Sequence, residues 1–111
     1  MEPLRQLNLA MEYIESNLAG EIDFSRVSQI ACCSEYHFRR VFSFLVGMSL
    51  TEYIRRRRLA QAALELRDGR VRIIDLALKY GYNSPDSFTR AFFALHGVTP
   101  TEARKEGVAL K

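Results

Sequence analysis

Apolar residues recur three or four positions apart along most of this chain, the spacing of one face of an α-helix. Leu4, Leu7, Met11, Ile14 and Leu18 predict a first amphipathic helix, closed by Gly20. Asp23 is a cap for a short second helix with Phe24, Val27, Ile30 and Ala31 on its buried side, ended by Cys32 and Cys33. Ser34 caps a third helix whose apolar face is Phe38, Val41, Phe42 and Leu45, and Gly47 terminates it. Ser49 opens a long helix to about Arg67, with Leu50, Tyr53, Ile54, Leu59, Ala63 and Leu66 as inner positions.

After the Asp68-Gly69-Arg70 break, Ile73, Ile74, Ala77 and Leu78 define a fifth helix ended by Gly81. Ser84 and Pro85 start a sixth, with Phe88, Ala91, Phe92 and Leu95 facing inward. Thr99-Pro100 starts a seventh, and the GVALK tail carries no clear structure. Nothing reads as a strand, so the fold class is all-α.

Helices three and six are one unit written twice. Shifted by fifty positions, Ser34/Ser84, Phe38/Phe88, Arg40/Arg90, Phe42/Phe92, Leu45/Leu95, Gly47/Gly97, Thr51/Thr101 and Glu52/Glu102 are identical. A short helix, a tight turn and a longer helix make a helix-turn-helix. Helices two and three make one such unit, helices five and six the other. The chain therefore divides into a first subdomain at 1–48 with its second helix at about 34–46, a joining helix at 49–67, and a second subdomain at 68–111 with its second helix at about 84–96.

Charge sharpens this picture. Net charge is only +3, yet residues 1–35 hold just two basic side chains, Arg5 and Arg26, against six acidic ones. The basic balance of the rest of the chain fits either a solvated face or a surface that meets a polyanion. In a helix-turn-helix the second helix enters the DNA major groove, where arginine bonds guanine O6 and N7 bidentately. Arg40 and Arg90 are the natural readers. Tyr36, Arg39 and Arg40 share one exposed face, and Asp86, Thr89 and Arg90 repeat it. Asp86 either accepts from cytosine N4 or serves the helix dipole. Ser34 and Ser84, at helix N-termini, suit phosphate. With them, His37, Arg55, Arg57 and Ser87 complete the expected phosphate-contacting set. Four successive arginines at 55–58 spread around a helix, so at most one or two touch a ligand.

Other chemistry finds no footing. There is no Gly-rich phosphate loop, nucleophile elbow or paired-acid motif, and Cys32, Cys33 and His37 do not make a zinc pattern. No enzyme activity, cofactor or metal is expected. No apolar run has the length of a membrane span and no signal peptide shows, so a cytoplasmic protein is expected. Cys32 and Cys33 read as small buried hydrophobes or partly exposed free thiols, with a redox pair as the alternative. His96, just before a helix-ending glycine, reads as structural. Phe93 touches a thymine methyl, packs under the seventh helix or meets a further domain, with packing favoured.

The run YIRRRRLAQAALEL, followed by IIDLALKYGYNSPDSFTRAFFALHGVTPTEAR, closely resembles the signature of AraC/XylS transcription regulators. SEYHFRRVFSFLVGMS resembles the same family's first recognition helix. The resemblance covers about Leu7 to Arg104. It implies a seven-helix domain with two helix-turn-helix units joined by the long helix, and transcription regulation on double-stranded DNA, often activation through RNA polymerase. It places Tyr36, Arg39 and Arg40 at the family's first base-facing positions, Pro85, Asp86 and Arg90 at the second, and Arg55 at a phosphate-contacting position.

Three positions depart from the family pattern. Pro85 stands where a polar side chain is common, Cys32-Cys33 replace a glycine and an aromatic, and Phe93 replaces a lysine. The chain is expected to be either a stand-alone regulator or one followed by a C-terminal effector-binding domain beyond Lys111, the second being favoured. The rival readings are a helical protein-interaction module and a nonspecific architectural DNA binder.

Overall fold

The computed structural model describes residues 3–105. Seven helices are present among them: α1 (Pro3–Ser16), α2 (Phe24–Ala31), α3 (Glu35–Val46), α4 (Leu50–Leu66), α5 (Ile73–Lys79), α6 (Pro85–His96) and α7 (Pro100–Ala103). The fold is all-α, two helix-turn-helix arrangements joined by α4. The GVALK tail lies outside the described residues. Two compact units, Met1–Arg55 and Arg56–Lys111, each close around their own core.

In the first unit α1 packs on α2, and Ala10, Ile14, Val27, Phe38, Phe42, Leu50 and Ile54 are buried together. Phe42 meets Tyr53 edge-on at 5.2 Å, and the Tyr53 hydroxyl donates to Glu15 Oε1 at 2.8 Å. The first helix ends earlier than Gly20. The Asn17 N–H bonds the Ile14 carbonyl and its side-chain amide bonds the Tyr13 carbonyl at 2.8 Å, which turns the chain out of the helix. Leu18 is buried beyond the helix end, while Leu4 is exposed. Leu45, expected inward, is 54% exposed, because the first core closes on Phe38 and Phe42 without reaching the last turn of α3.

In the second unit Leu59, Ala62, Leu66, Leu76, Ala77, Phe88 and Phe92 form the core. The phase of α5 is partly as expected: Ala77 is buried and Ile73 packs on the core, but Ile74 is exposed, Leu78 is 61% exposed, and Leu76 is buried in their place. The cause is an anchor at the end of α5. The Tyr80 hydroxyl donates to the Glu65 carboxylate of α4, and Lys79 Nζ lies 2.7 Å from the same carboxylate. Burial costs the Glu65 carboxylate, but these two donors outweigh that cost and hold its pKa below the ordinary value. Burial and the same carboxylate push the Tyr80 phenol up. His96 is buried, in keeping with its structural reading. Its ring packs on Phe92 with centroids 4.4 Å apart, and Nε2 lies 3.2 Å from the Leu59 carbonyl oxygen.

Candidate nucleic-acid interface

Both units present their second helix through the same local devices. Asp23 Oδ1 accepts from the Ser25 and Arg26 N–H groups and starts α2. The turn after α2 is a Schellman motif: the Cys33 N–H bonds the Ser28 carbonyl and the Cys32 N–H bonds the Gln29 carbonyl. The turn after α5 repeats it, with Tyr82 N–H on Ala77 and Gly81 N–H on Leu78. The left-handed residue is Gly81 in one (φ +86°) and Cys32 in the other (φ +59°). Thus Cys32 does occupy the glycine position and Cys33 the aromatic one, and both thiols are free.

Ser34 Oγ then accepts from the His37 N–H at 3.0 Å, and Ser84 Oγ from the Ser87 N–H at 3.1 Å. Gly47 (φ +85°) and Gly97 (φ +78°) close α3 and α6. These caps orient each helix so that the phenylalanines at its fourth and eighth positions, Phe38/Phe42 and Phe88/Phe92, are buried. The opposite face is left to solvent.

On that face of α3, Tyr36 is 71% exposed and Arg40 is also exposed. The Arg40 guanidinium lies 5.7 Å from the Tyr36 ring centroid, and Nη1 donates to the Tyr36 hydroxyl at 3.5 Å. The two side chains therefore form one joined cationic surface. Arg39 is held differently. Its guanidinium lies 4.5 Å over the Phe24 ring, Nε pairs with Glu35 Oε2 at 2.9 Å, and Nη1 donates to Thr51 Oγ1 at 3.3 Å. In the sequence Phe24 reads as a buried position and Thr51 as a repeat match, not as partners of Arg39, and Glu35 is not singled out. The i, i+4 spacing of Glu35 and Arg39 was the available signal.

On α6, Asp86 and Arg90 are exposed and Thr89 is half-buried. The Arg90 side chain makes no hydrogen bond or ion pair with the described residues. Ser84 and Ser87 are linked: Ser84 Oγ donates to Ser87 Oγ at 3.1 Å, which donates to the Ser84 carbonyl at 3.0 Å. Phe93 is 53% exposed, contrary to the expected packing under α7, because α6 turns Phe88, Phe92 and His96 inward and Phe93 lies off that stripe.

His37 is exposed beside the α3 cap, and Arg57 is half-buried on α4. Arg55 is engaged by Glu52 through Nε (3.0 Å) and Nη2 (2.7 Å). Ser49 Oγ caps α4 by accepting from the Glu52 N–H, just as Thr99 Oγ1 accepts from Glu102 at the start of α7. In α7 the Glu102 carboxylate also accepts from the Thr99 N–H, completing a capping box that lowers its pKa. The S/T-x-x-E spacing at 49–52 and 99–102 is legible in the sequence as that signature.

Among the described residues no group of three or more His, Cys, Asp or Glu side chains comes together to hold a metal, and no helix is long and apolar enough to cross a membrane.

A helix-turn-helix domain family matches residues 27–106, from within α2 through α7. AarP of Providencia stuartii, a transcriptional activator by name, is 42% identical over 89 residues, covering 80% of this chain and 66% of AarP. MarA of Escherichia coli is 33% identical over 94 residues, covering 85% of this chain and 74% of MarA. The chain belongs to the AraC/XylS family of DNA-binding transcription regulators. The AraC/XylS fold is shared with solved structures at lower identity. A regulator with an AraC-type DNA-binding domain from Chromobacterium violaceum superposes with TM-score 0.82 at 22% identity, over 91% of this chain and 90% of that one. The DNA-binding domain of AdpA, solved in complex with a target DNA, superposes with TM-score 0.77 at 22% identity, over 94% of this chain and 91% of that one.

Proposed function

We propose that this AraC/XylS chain binds one asymmetric DNA site, with α3 and α6 as two major-groove readers, and activates transcription through contact with RNA polymerase. The observation that carries the reading is the repeated presentation of an exposed arginine, Arg40 and Arg90, one turn into a capped helix with a buried opposite face. Tyr36 with Arg40 reads one half, and Asp86, Thr89 and Arg90 read the other. Arg39 joins the first set by leaving Glu35 as DNA approaches. Ser34, His37, Arg55, Arg57, Ser84 and Ser87 meet phosphates; Arg55 exchanges Glu52 for one, and the Ser84–Ser87 pair offers the α6 N-terminus as a donor surface. The name of AarP supports activation.

Two readers in one chain make a dimer partner unnecessary. At about one helical turn between half-sites, the site spans roughly 20 base pairs. Binding-site selection from random DNA on wild type, Arg40→Ala and Arg90→Ala tests this. Each substitution is expected to relax a different half of one non-palindromic site bound by a single chain. A palindrome occupied by two chains, or both substitutions relaxing the same base pairs, overturns it.

A further inference from the structure

The Schellman turns before α3 and α6 share a backbone and differ in what fills them. In the second unit Tyr82 follows the left-handed residue, and its ring meets Phe88 edge-on at 5.5 Å. In the first unit Cys33 follows the left-handed residue, and Phe38 stands where Phe88 does. A thiol there replaces a phenol ring. An open cleft of about 250 Å³ lies at that place, lined by Leu7, Ala31, Phe38 and Val41 with the cysteine pair, and by Gln6 and His37.

An apolar cavity of about 150 Å³ suffices to hold a benzene ring. The hydrocarbon lining favours an uncharged ring, and among the described residues no carboxylate, lysine or arginine lines the cleft. Gln6 and His37 offer a donor and an acceptor to one hydroxyl. We propose that this cleft binds a small single-ring phenol, which takes the place in the first unit that the Tyr82 side chain takes in the second. Bound there, the ring packs on Phe38 and Val41 and braces α3 from behind its exposed face. The inference rests on the internal repeat and the cleft, not on DNA recognition.

The probe is p-cresol, the free counterpart of a tyrosine side chain, added to the reduced protein without DNA. Backbone amide NMR is expected to show saturable shifts at Cys33, His37, Phe38 and Val41. The Tm should rise by about 5 °C at ten times the Kd. Cys33→Tyr supplies a tethered ring, so it should weaken p-cresol binding at least about tenfold while raising the Tm of the unliganded protein. Val41→Phe fills the same space from α3 and decides the matter if Cys33→Tyr fails to fold. Cys33→Ala leaves the cleft open and should keep p-cresol affinity within about threefold. Absence of saturable shifts in the wild type, shifts centred outside the cleft, or an unchanged response in a folded filling variant overturns the proposal. DNA is absent from every arm, so this outcome is independent of whether α3 reads bases.

Discussion

The guanidinium of Arg39 lies 4.5 Å over the ring of Phe24, which fastens α3 to the first turn of α2. Its neighbour Arg40 has no such anchor in the core and stacks on exposed Tyr36 instead. Adjacent arginines on one helix are therefore held in different ways before DNA is met. Arg39→Ala should lower the stability of the first unit by about 1 kcal/mol, the sum of a partly exposed cation–π contact and a helical ion pair. Arg40→Ala should leave stability nearly unchanged and relax base preference by about 1–3 kcal/mol in one half-site. Urea denaturation and site selection on both variants check the division. Equal destabilisation by the two substitutions counts against it.

Cys32 adopts a left-handed backbone conformation that favours glycine, as Gly81 does in the matching turn. Cys32→Gly removes the clash between Cβ and backbone at the expense of greater freedom in the unfolded chain. The net expectation is a gain of about 0.5–1 kcal/mol under reducing conditions, read from the denaturation midpoint. A loss of stability would mean that the Cys32 side chain contributes more than its backbone costs.

The second unit should be most stable across a bounded pH range. Glu65 has a folded pKa below its ordinary 4.5, so the stability it contributes is present above about that value and is lost as pH falls through the folded pKa. Tyr80 has a folded pKa above its ordinary 10.0. Its contribution is present below pH 10 and is lost as pH rises through the folded value. Tyr80→Phe should flatten the alkaline limb and Glu65→Gln the acid limb of a stability–pH profile. An alkaline limb as steep in Tyr80→Phe as in wild type would contradict this assignment.

DNA affinity should fall steeply with salt. If about six phosphates are neutralised, log affinity declines against log salt with a slope near −5. Arg55→Ala should make that slope shallower by about 1 and weaken binding to all sequences alike. The effect is tempered because Arg55 must first give up Glu52, 2.7 Å away. Titrations at three or more salt concentrations decide it, and a flat response is the adverse result.

Much of this was legible in the sequence for local reasons. Asp23, Ser34, Ser84 and Thr99 cap the helices expected of them, because a side-chain oxygen next to a free N–H acts within one turn. The core phenylalanines were legible through their repeat. The phase of α5 was so only in part. Apolar residues occupy five of its seven positions, so periodicity could not choose between Leu76 and its neighbours, and the choice falls to Tyr80 reaching Glu65 on another helix. Leu45 and Leu95 show the same limit. The letter and its helical position are identical, yet only Leu95 packs on a core, as Val98 and Ala103 also do. At the candidate site, exposure of Tyr36, Arg40 and Arg90 followed from phase, whereas the capture of Arg39 required Phe24 and Thr51, twelve or more residues away.

The repeat is uneven in an informative way. Cap serines, left-handed terminal glycines and buried phenylalanines recur at the same offset, while Tyr36 faces Asp86 and Arg39 faces Thr89 across the comparison. The residues that make each helix stand up are copied; of the proposed reading residues, only Arg40 and Arg90 are. On the proposed two-reader arrangement, a lineage carrying such a chain can rewrite one half of its binding site by exchanging a few solvent-facing side chains. The other half, and the folding of both units, is left untouched, so new regulatory targets become reachable one half-site at a time.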